Sequence, residues 1–219
     1  MASSIFVINP NSNEAVTAGI DVAMEPLRIS DGPAIKCLTL KEGPPGVQTQ
    51  QDFESVTLPL VKLAKSLEDE AVAFVIACFS DPGLYAVREA VNRPVLGIAE
   101  CGVLTALTMG HSFGVIAILK GSIPRHQRIW GAMGVIDRLA GELAIDLTVA
   151  ELSDRARALS RMIEVGRRLR DERDASTIVM GCAGMTVFRE PLQEALGIPV
   201  IEPAQAAGAM ALGRVKLGW

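Results

Sequence analysis

The sequence predicts an α/β fold made of two similar halves, each a parallel β-sheet covered by helices. Short apolar segments rich in β-branched residues alternate with longer amphipathic segments along all 219 residues. This alternation is typical of strands joined by helices in a parallel sheet. The second half also repeats the order of motifs in the first, with Cys78 and Cys182 at corresponding positions. A hydrophobic content of 49% is sufficient for a packed core.

The predicted strands are continuous apolar runs, as expected of strands covered on both faces. In chain order they are Ile5–Asn9, Ile35–Leu40, Val72–Cys78, Pro94–Ile98, Phe113–Leu119, Ile145–Val149, Thr177–Gly181 and Pro199–Ile201. Helical patterns separate them, at Asn13–Met24, Thr49–Leu67, Pro82–Val91, Cys101–Met109, Pro124–Leu143, Asp154–Arg170, Thr186–Ala195 and Pro203–Leu212. A helix is the connection that successive parallel strands need.

The internal repeat is carried by two cysteine-bearing strand ends. Val75-Ile-Ala-Cys78 resembles Val179-Met-Gly-Cys182, and each is followed by an Arg-Glu pair and then by a strand that begins with proline. Such a repeat indicates duplication of one α/β unit. We therefore predict two pseudo-symmetric domains, residues 1–98 with Cys78 and residues 99–219 with Cys182, and the C-terminal helix is free to pack back on the first. Ligands bind outside the carboxyl ends of such strands, so we expect the active site in a cleft between the domains.

Charge and composition exclude several classes of function. A net charge of −4 argues against a nucleic-acid partner, because basic surface supplies most of that affinity. With only two histidines, His111 and His126, a three-histidine zinc site is impossible, and we expect no metal. No dinucleotide-binding glycine motif, P-loop or nucleophile elbow occurs, so we expect no cofactor. The partner we expect is a small-molecule substrate.

We also expect neither a membrane-spanning segment nor an export signal. The longest apolar run, Ala71–Phe79, is about half of a membrane span, and the first residues have no basic segment of the signal-peptide type. The four cysteines form no Cys-x-x-Cys pair, and a disulfide scaffold is not expected in a chain of this size. We therefore expect no membrane association and a reduced, cytoplasmic protein.

Cys78 and Cys182 are the candidate catalytic residues. Cys78 precedes Asp81-Pro82, a pattern typical of an N-cap followed by the first residue of a helix, and a helix N-terminus lowers a thiol pKa. Cys182 precedes the small residues Ala183 and Gly184, which would let a ligand approach the backbone, and Thr186 is the expected N-cap there. Cys37 and Cys101 are interpreted as buried hydrophobic side chains.

Two thiols on facing walls suit the inversion of a carbon acid. That reaction needs a base on one face and an acid on the other, and a thiol can serve as either near neutral pH. Backbone N–H groups of the turns around Phe79, Ser80, Ala183 and Gly184 would stabilise the enolate oxygen. These four residues, with Asn11, Ser12 and Ser122 after the first strand of each half, are the candidate substrate-binding residues. His111 is interpreted as structural, whereas His126 is left open between a structural and a functional role.

Four segments together resemble the aspartate/glutamate/hydantoin racemase superfamily, most closely its hydantoin and allantoin racemases: Ile8-Asn-Pro-Asn-Ser12, Ala77-Cys-Phe-Ser-Asp-Pro-Gly-Leu84, Pro94-Val-Leu-Gly-Ile-Ala-Glu100 and Gly181-Cys-Ala-Gly-Met185. The resemblance implies a cofactor-independent racemase with Cys78 and Cys182 as its two bases, and a homo-oligomer. Glu202-Pro203 stands where such racemases often have Asp-Pro or Asp-Gly, and Gly43–Thr49 differs from their Ser-Ile-Glu-Gly segment.

Three alternatives to a racemase of a 5-substituted hydantoin or of allantoin stay open. An amino-acid racemase of the aspartate/glutamate type would need a cation for the substrate carboxylate, for which Arg125 and Arg128 are candidates. An arylmalonate-type decarboxylase on the same scaffold is expected to keep only the second-half cysteine. A catalytically silent binding protein would keep the cleft and show no exchange of hydrogen at the substrate carbon.

Overall fold

The computed structural model describes residues 3–219, and the α/β fold with two parallel sheets is confirmed. The strands are β1 (Ser4–Asn9), β2 (Ala34–Thr39), β3 (Ala71–Ile76), β4 (Val95–Gly97), β5 (Phe113–Ala117), β6 (Leu139–Ala144), β7 (Thr177–Gly181) and β8 (Val200–Ile201). The helices are α1 (Glu14–Met24), α2 (Gln50–Ser55), α3 (Thr57–Leu67), α4 (Leu84–Ala90), α5 (Ile98–Met109), α6 (Ile123–Ala132), α7 (Arg155–Arg173), α8 (Arg189–Leu196) and α9 (Pro203–Leu217).

The chain divides into two compact units. The first comprises the residues up to Cys101 together with Ala204–Trp219, and the second comprises Gly102–Pro203. The unit boundaries therefore fall within the first turns of α5 and α9. Among residues 3–219, no helix is both long and apolar enough to cross a lipid bilayer.

The first unit contains a parallel sheet in the order β2-β1-β3-β4. Its central strands β1 and β3 are almost fully buried, and the rings of Phe6 and Phe74 stack across them at 5.9 Å. Leu60 and Ala64 of α3 cover this face, because the apolar side of an amphipathic helix is buried against the core. The carboxyl ends of β1 and β3 are thereby fixed side by side, in register from Ile5 to Ile8.

The second unit contains a parallel sheet in the order β6-β5-β7-β8, which has the same topology. One face packs against α7 and α8 through Met162, Leu169 and Leu192. Phe113 and the fully buried Trp130 meet edge to face at 6.0 Å. β5 therefore corresponds to β1, and β7, which precedes Cys182, corresponds to β3.

The predicted helix at Pro124–Leu143 and the predicted strand at Ile145–Val149 are both wrong. Helix α6 ends at Ala132, and strand β6 occupies Leu139–Ala144. Leu139-Ala-Gly-Glu-Leu-Ala144 is rich in helix formers, so local preference favours a helix. Its backbone groups instead pair with β5, and tertiary pairing outweighs a weak local propensity.

The other elements differ from the predictions mainly at their ends. The helix predicted at Thr49–Leu67 is broken at Val56 into α2 and α3, and Thr49 forms a capping box with Asp52 at its start. The strands predicted to extend to Cys78 and Leu119 end at Ile76 and Ala117. Ile98, predicted as the end of a strand, is the first residue of α5.

Candidate active site

Cys78 lies in a tight turn directly after β3. The N–H of Ala77 still bonds to the carbonyl of Ile8, at 2.8 Å, so the sheet holds the chain up to the residue before the cysteine. The carbonyl of Cys78 then accepts the N–H groups of Ser80 and Asp81, at 2.8 and 2.9 Å. The thiol is half-buried, whereas Phe79 and Ser80 are 3% and 4% exposed. The turn therefore leaves the Cys78 side chain partly accessible, whereas the two residues that follow it are buried.

The prediction that Asp81 caps the helix after Cys78 is wrong. Helix α4 begins at Leu84, and its N-cap is Gly83 in the left-handed conformation, with no side-chain cap. The expected lowering of the Cys78 pKa by the N-terminus of a helix starting at Pro82 therefore has no basis in this geometry. The Asp81 carboxylate instead bonds to the start of α5.

The loop after β1 is organised by a buried asparagine. The Nδ2 group of Asn9 lies within hydrogen-bonding distance of the Asn11 Oδ1 atom and the Thr17 Oγ1 atom, at 3.1 and 3.0 Å, and Asn9 is fully buried. Asn11 is 7% exposed, and its Oδ1 atom also accepts the N–H of Asn13. Within residues 3–219, the Nδ2 atom of Asn11 and the hydroxyl of Ser12 have no hydrogen-bond partner. Both are therefore available to a ligand.

Cys182 follows β7 in the same way that Cys78 follows β3. Its carbonyl accepts the N–H of Met185 at 3.0 Å, three residues further on, as in the Cys78 turn. Its sulfur accepts the N–H of Gly184 at 3.4 Å. Burial raises the pKa of Cys182 to about 11, the Gly184 N–H opposes this, and the charge of Glu202 adds to it. This thiol therefore carries its proton near neutral pH, contrary to the expectation of a lowered pKa.

The prediction that Thr186 caps a helix starting there is also wrong. A 3₁₀ turn spans Ala183–Phe188, and α8 begins only at Arg189. The Thr186 hydroxyl lies 3.0 Å from the carbonyl of Ala183 and 3.2 Å from the Oε1 atom of Glu202. This contact connects the Cys182 turn to Glu202, the residue that follows β8. Glu202 is 2% exposed, so the contact is shielded from water.

Several polar residues after β5 are buried. Ser122 is 4% exposed, and its hydroxyl donates to the carbonyl of Leu119 at 2.7 Å, which leaves its lone pairs to accept from a ligand. The Nδ1 atom of His126 is hydrogen-bonded to one carboxyl oxygen of Glu142, both side chains are buried, and Trp130 donates to the second oxygen of Glu142 at 3.3 Å. His126 therefore ties α6 to β6. Arg128 is exposed, whereas Arg125 is 6% exposed.

Of the remaining cysteines, Cys101 is a core residue, as predicted, whereas Cys37 is only half-buried, contrary to the prediction. Cys101 is 2% exposed in α5, and Cys37 lies in β2. Burial raises the pKa of both thiols, to about 12 for Cys37. Neither thiol ionises near neutral pH, so neither is a candidate base.

Sequence reasoning assigned no role to three residues that stabilise these segments. Asn9 carries a signal, since a polar residue at the end of a buried strand needs a partner. Glu202 carries the same signal after β8. Glu142 carries none, because the segment around it has the pattern of a helix. In residues 3–219 no group of three or more His, Cys, Asp or Glu side chains is arranged to hold a metal ion.

The two units thus present the same arrangement twice: a thiol on a tight turn after the third strand, and polar groups after the first. A thiol that holds its proton is a general acid, and its thiolate is a general base. The backbone N–H groups of Ser80 and Gly184, which were expected to face an enolate, bond instead to the Cys78 carbonyl and the Cys182 sulfur. The chemistry within reach of the two thiols is the removal and return of a proton at an acidic carbon.

Comparison with known proteins gives a consistent result. The family model described as Asp/Glu/Hydantoin racemase matches residues 5–211. A hydantoin racemase from Paenarthrobacter aurescens is 34% identical over 98% of this chain and 92% of its own length. The solved allantoin racemase from Klebsiella pneumoniae is 29% identical and has a TM-score of 0.94 over 99% of this chain and 89% of its own. A glutamate racemase from Bacillus anthracis, 19% identical with a TM-score of 0.71, covers 99% of this chain and 82% of its own and is similar in fold alone.

Proposed function

Because the chain belongs to the Asp/Glu/hydantoin racemase family, and is therefore an isomerase, we propose that it racemises a 5-substituted hydantoin or a related ring such as allantoin. The reaction proceeds without a cofactor, with Cys78 and Cys182 as the two acid–base groups. The observation that carries this proposal is the repeated turn, in which each cysteine follows the third strand of its sheet and its carbonyl accepts the N–H three residues later. Hydantoin and allantoin racemases among the similar proteins support the substrate class.

The proposed reaction moves one proton in and one proton out. The Cys78 thiolate takes the hydrogen from C5 of the ring, and the electron pair of the broken C–H bond forms an enolate with the adjacent carbonyl. Cys182, whose pKa is raised by burial, donates its thiol proton to the opposite face of C5. Cys78 is then the thiol and Cys182 the thiolate, which is the state that converts the other enantiomer back.

Polar groups in both units fit the edges of such a ring. We assign the Nδ2 group of Asn11 and the hydroxyl of Ser12 as donors to a ring carbonyl, since no residue within 3–219 uses them. Ser122 is assigned as an acceptor for a ring N–H, because its own proton is committed to Leu119. The backbone of Phe79, Ser80, Ala183 and Gly184 is proposed to border the reacting carbon.

The ring also favours thiol chemistry over the amino-acid alternative. The C5 hydrogen lies beside a ring carbonyl and is more acidic than the α-hydrogen of a zwitterionic amino acid. A thiolate therefore removes it with less assistance from the protein. An amino-acid substrate would in addition require a cation for its carboxylate, a role for which Arg125 and Arg128 are the candidates.

The decisive experiment replaces each cysteine by serine and follows both pure enantiomers in deuterated buffer by NMR. Racemisation should collapse in both Cys78→Ser and Cys182→Ser, because turnover needs both groups and a hydroxyl is a far weaker acid than a thiol. Exchange at C5 should persist in each variant for the one enantiomer whose base remains, and the two variants should retain opposite enantiomers. Cys37→Ser is the matched control and should leave racemisation intact.

Other outcomes would identify other functions. A decarboxylase would lose activity only in Cys182→Ser, and a binding protein would exchange no hydrogen even in the wild type. If both serine variants exchanged both enantiomers at the wild-type rate, neither cysteine would be the base and the two-thiol mechanism would be wrong.

We also propose that the enzyme is a cytoplasmic homo-oligomer. The described cysteines form no disulfide, which suits a reducing compartment, and the family resemblance favours self-association. Light scattering on the purified protein tests the assembly, and a monomer across the working concentration range would contradict it. Cell fractionation tests the compartment, and recovery outside the cytoplasmic fraction would contradict that part.

A further inference from the structure

The carboxylate of Asp81 binds the first turn of helix α5. Its Oδ1 atom accepts the N–H of Ala99 at 2.8 Å, and its Oδ2 atom accepts the N–H of Glu100 at 2.9 Å. Asp81 is 7% exposed, so these bonds are shielded from water. The first N–H groups of a helix have no partner within the helix and attract negative charge. Asp81 therefore caps a helix that begins 17 residues further along the chain.

The same residue closes the turn that carries Cys78. Its N–H donates to the carbonyl of Cys78 at 2.9 Å, and its carbonyl accepts the N–H of Leu84 at 3.3 Å. Its φ angle is +50°, a left-handed conformation that few residues other than Gly, Asn and Asp adopt. One residue thus joins the backbone of Cys78 to the start of α5.

Gly97 and Arg88 complete this connection. A Cβ atom on Gly97 would lie only 2.2–2.5 Å from the carboxyl atoms of Asp81, so any side chain there would displace the carboxylate. Arg88 forms an ion pair with Glu100 and donates its Nε–H to the carbonyl of Val95 at 2.9 Å. The N–H of Gly97 donates to Glu100 at 3.1 Å. The Asp81 carboxylate therefore occupies the space that a side chain at position 97 would need.

Charged and titratable groups surround this carboxyl. Burial raises the pKa of Asp81 to about 7, the N–H groups of Ala99 and Glu100 oppose this shift, the charge of Glu100 adds to it, and Arg88 opposes it. The buried thiol of Cys101 also lies in the field of Asp81. The ionised carboxyl offers both oxygens to the N–H groups at the start of α5, although its burial costs free energy that grows as the pH rises.

We propose that Asp81 is a positioning residue for Cys78, holding the cysteine turn against the start of α5 so that the thiol stays directed at the substrate carbon. This inference rests on the proposed function for its consequence in catalysis. Its structural part, that Asp81 sets the geometry of the Cys78 turn, is independent of which reaction the protein carries out. Two readouts therefore separate the two parts.

The test uses Asp81→Asn and Gly97→Ala, because they disturb the same connection in different ways. Asn tolerates the left-handed conformation but turns an N–H₂ group towards a backbone N–H. Gly97→Ala keeps the carboxylate and displaces it by steric contact. The matched control is Asp154→Asn. Asp154 also caps a helix: its side chain accepts the N–H of Arg157 at 3.2 Å at the start of α7. Thermal melting confirms that each variant is folded.

The first readout is the alkylation rate of each cysteine by iodoacetamide from about pH 6 to about pH 10, read by peptide mass spectrometry. Both test variants should change the rate at Cys78 by about threefold or more and leave the rate at Cys182 unchanged. Asp154→Asn should change neither. An unchanged Cys78 profile in folded Asp81→Asn and Gly97→Ala would overturn the inference, as would equal changes at both cysteines.

The second readout is racemisation of a hydantoin or allantoin that the wild type turns over. We expect kcat to fall about tenfold or more in both test variants while KM stays within about threefold, since a misplaced base affects the chemical step more than binding. A loss confined to KM would overturn a positioning role. If the wild type racemises no hydantoin or allantoin, the proposed function fails, and the alkylation profile alone still supports or overturns the role of Asp81.

Discussion

The hydroxyl of Thr186 lies 3.2 Å from the Oε1 atom of Glu202. Thr186 is four residues after Cys182, and Glu202 is the residue that follows the last strand, β8. Glu202 is almost fully buried, and its charge is among the causes that keep the Cys182 pKa high. The carboxylate thus affects the cysteine turn in two ways, by a hydrogen bond and by its electric field. Substitutions that keep one effect and remove the other can separate them.

Glu202→Gln should make Cys182 more reactive. The amide oxygen still accepts from Thr186, but the negative charge that disfavours the thiolate is gone, so the pKa of Cys182 should fall. We expect alkylation of Cys182 at about pH 9 to accelerate about twofold or more, with Cys78 unaffected. Glu190→Gln is the control, because it removes the same charge from an exposed position. Slower or unchanged alkylation of Cys182 would contradict the electrostatic role of Glu202.

Asp81 should make the free energy of unfolding depend on pH in a definite direction. Its pKa rises from 3.8 to about 7 on folding, so between these values the folded state binds the proton that the unfolded state releases. The Asp81 contribution to stability is therefore present in acid and is lost as the pH rises through about 7, by about 1 kcal/mol per pH unit. Urea unfolding measures the free energy of unfolding of the wild type and of Asp81→Asn. The excess of the wild-type value over that of Asp81→Asn should shrink from about pH 4.5 to about pH 7.5. A constant or growing difference would contradict the raised pKa.

Glu142→Ala should destabilise the second unit strongly. Glu142 accepts from His126 and Trp130 inside the protein, and removal of one member of a buried pair costs about 3–5 kcal/mol. Glu172→Ala is the control, since its ion pair with Arg168 is exposed and contributes about 0.5 kcal/mol or less. Urea unfolding measures both. Similar losses in the two variants would show that the buried pair has no special role.

Two glycines should respond to alanine in opposite directions. A Cβ atom on Gly181 would lie 2.5 Å from the carbonyl oxygen of Ile116, so Gly181→Ala should force β5 and β7 apart and cost about 1–3 kcal/mol. Gly131 lies in α6, where an added Cβ atom would have no neighbour within 4 Å, so Gly131→Ala should stabilise by up to about 1 kcal/mol. Thermal melting of both variants tests this, and a stable Gly181→Ala protein would contradict the close approach of the strands.

The sequence by itself determined the strand–helix order and the places of the two cysteines. The apolar runs that form β1, β3, β5 and β7 are continuous and rich in β-branched residues, a pattern that predicts buried strands. The ends of two of these strands were predicted two residues too late, since β3 ends at Ile76 and β5 at Ala117. The placement of Cys78 and Cys182 just after β3 and β7 followed from the sequence all the same.

The tertiary structure alone decided which distant groups meet at those strand ends. Leu139–Ala144 became a strand because β5 offered it hydrogen bonds, against its own helical preference. Asp81 and Thr186 have the local pattern of helix caps, yet they bond to the start of α5 and to Glu202. Local preferences extend over a few residues only, whereas these partners lie 16 to 19 positions away and are brought together by packing of the sheets and helices.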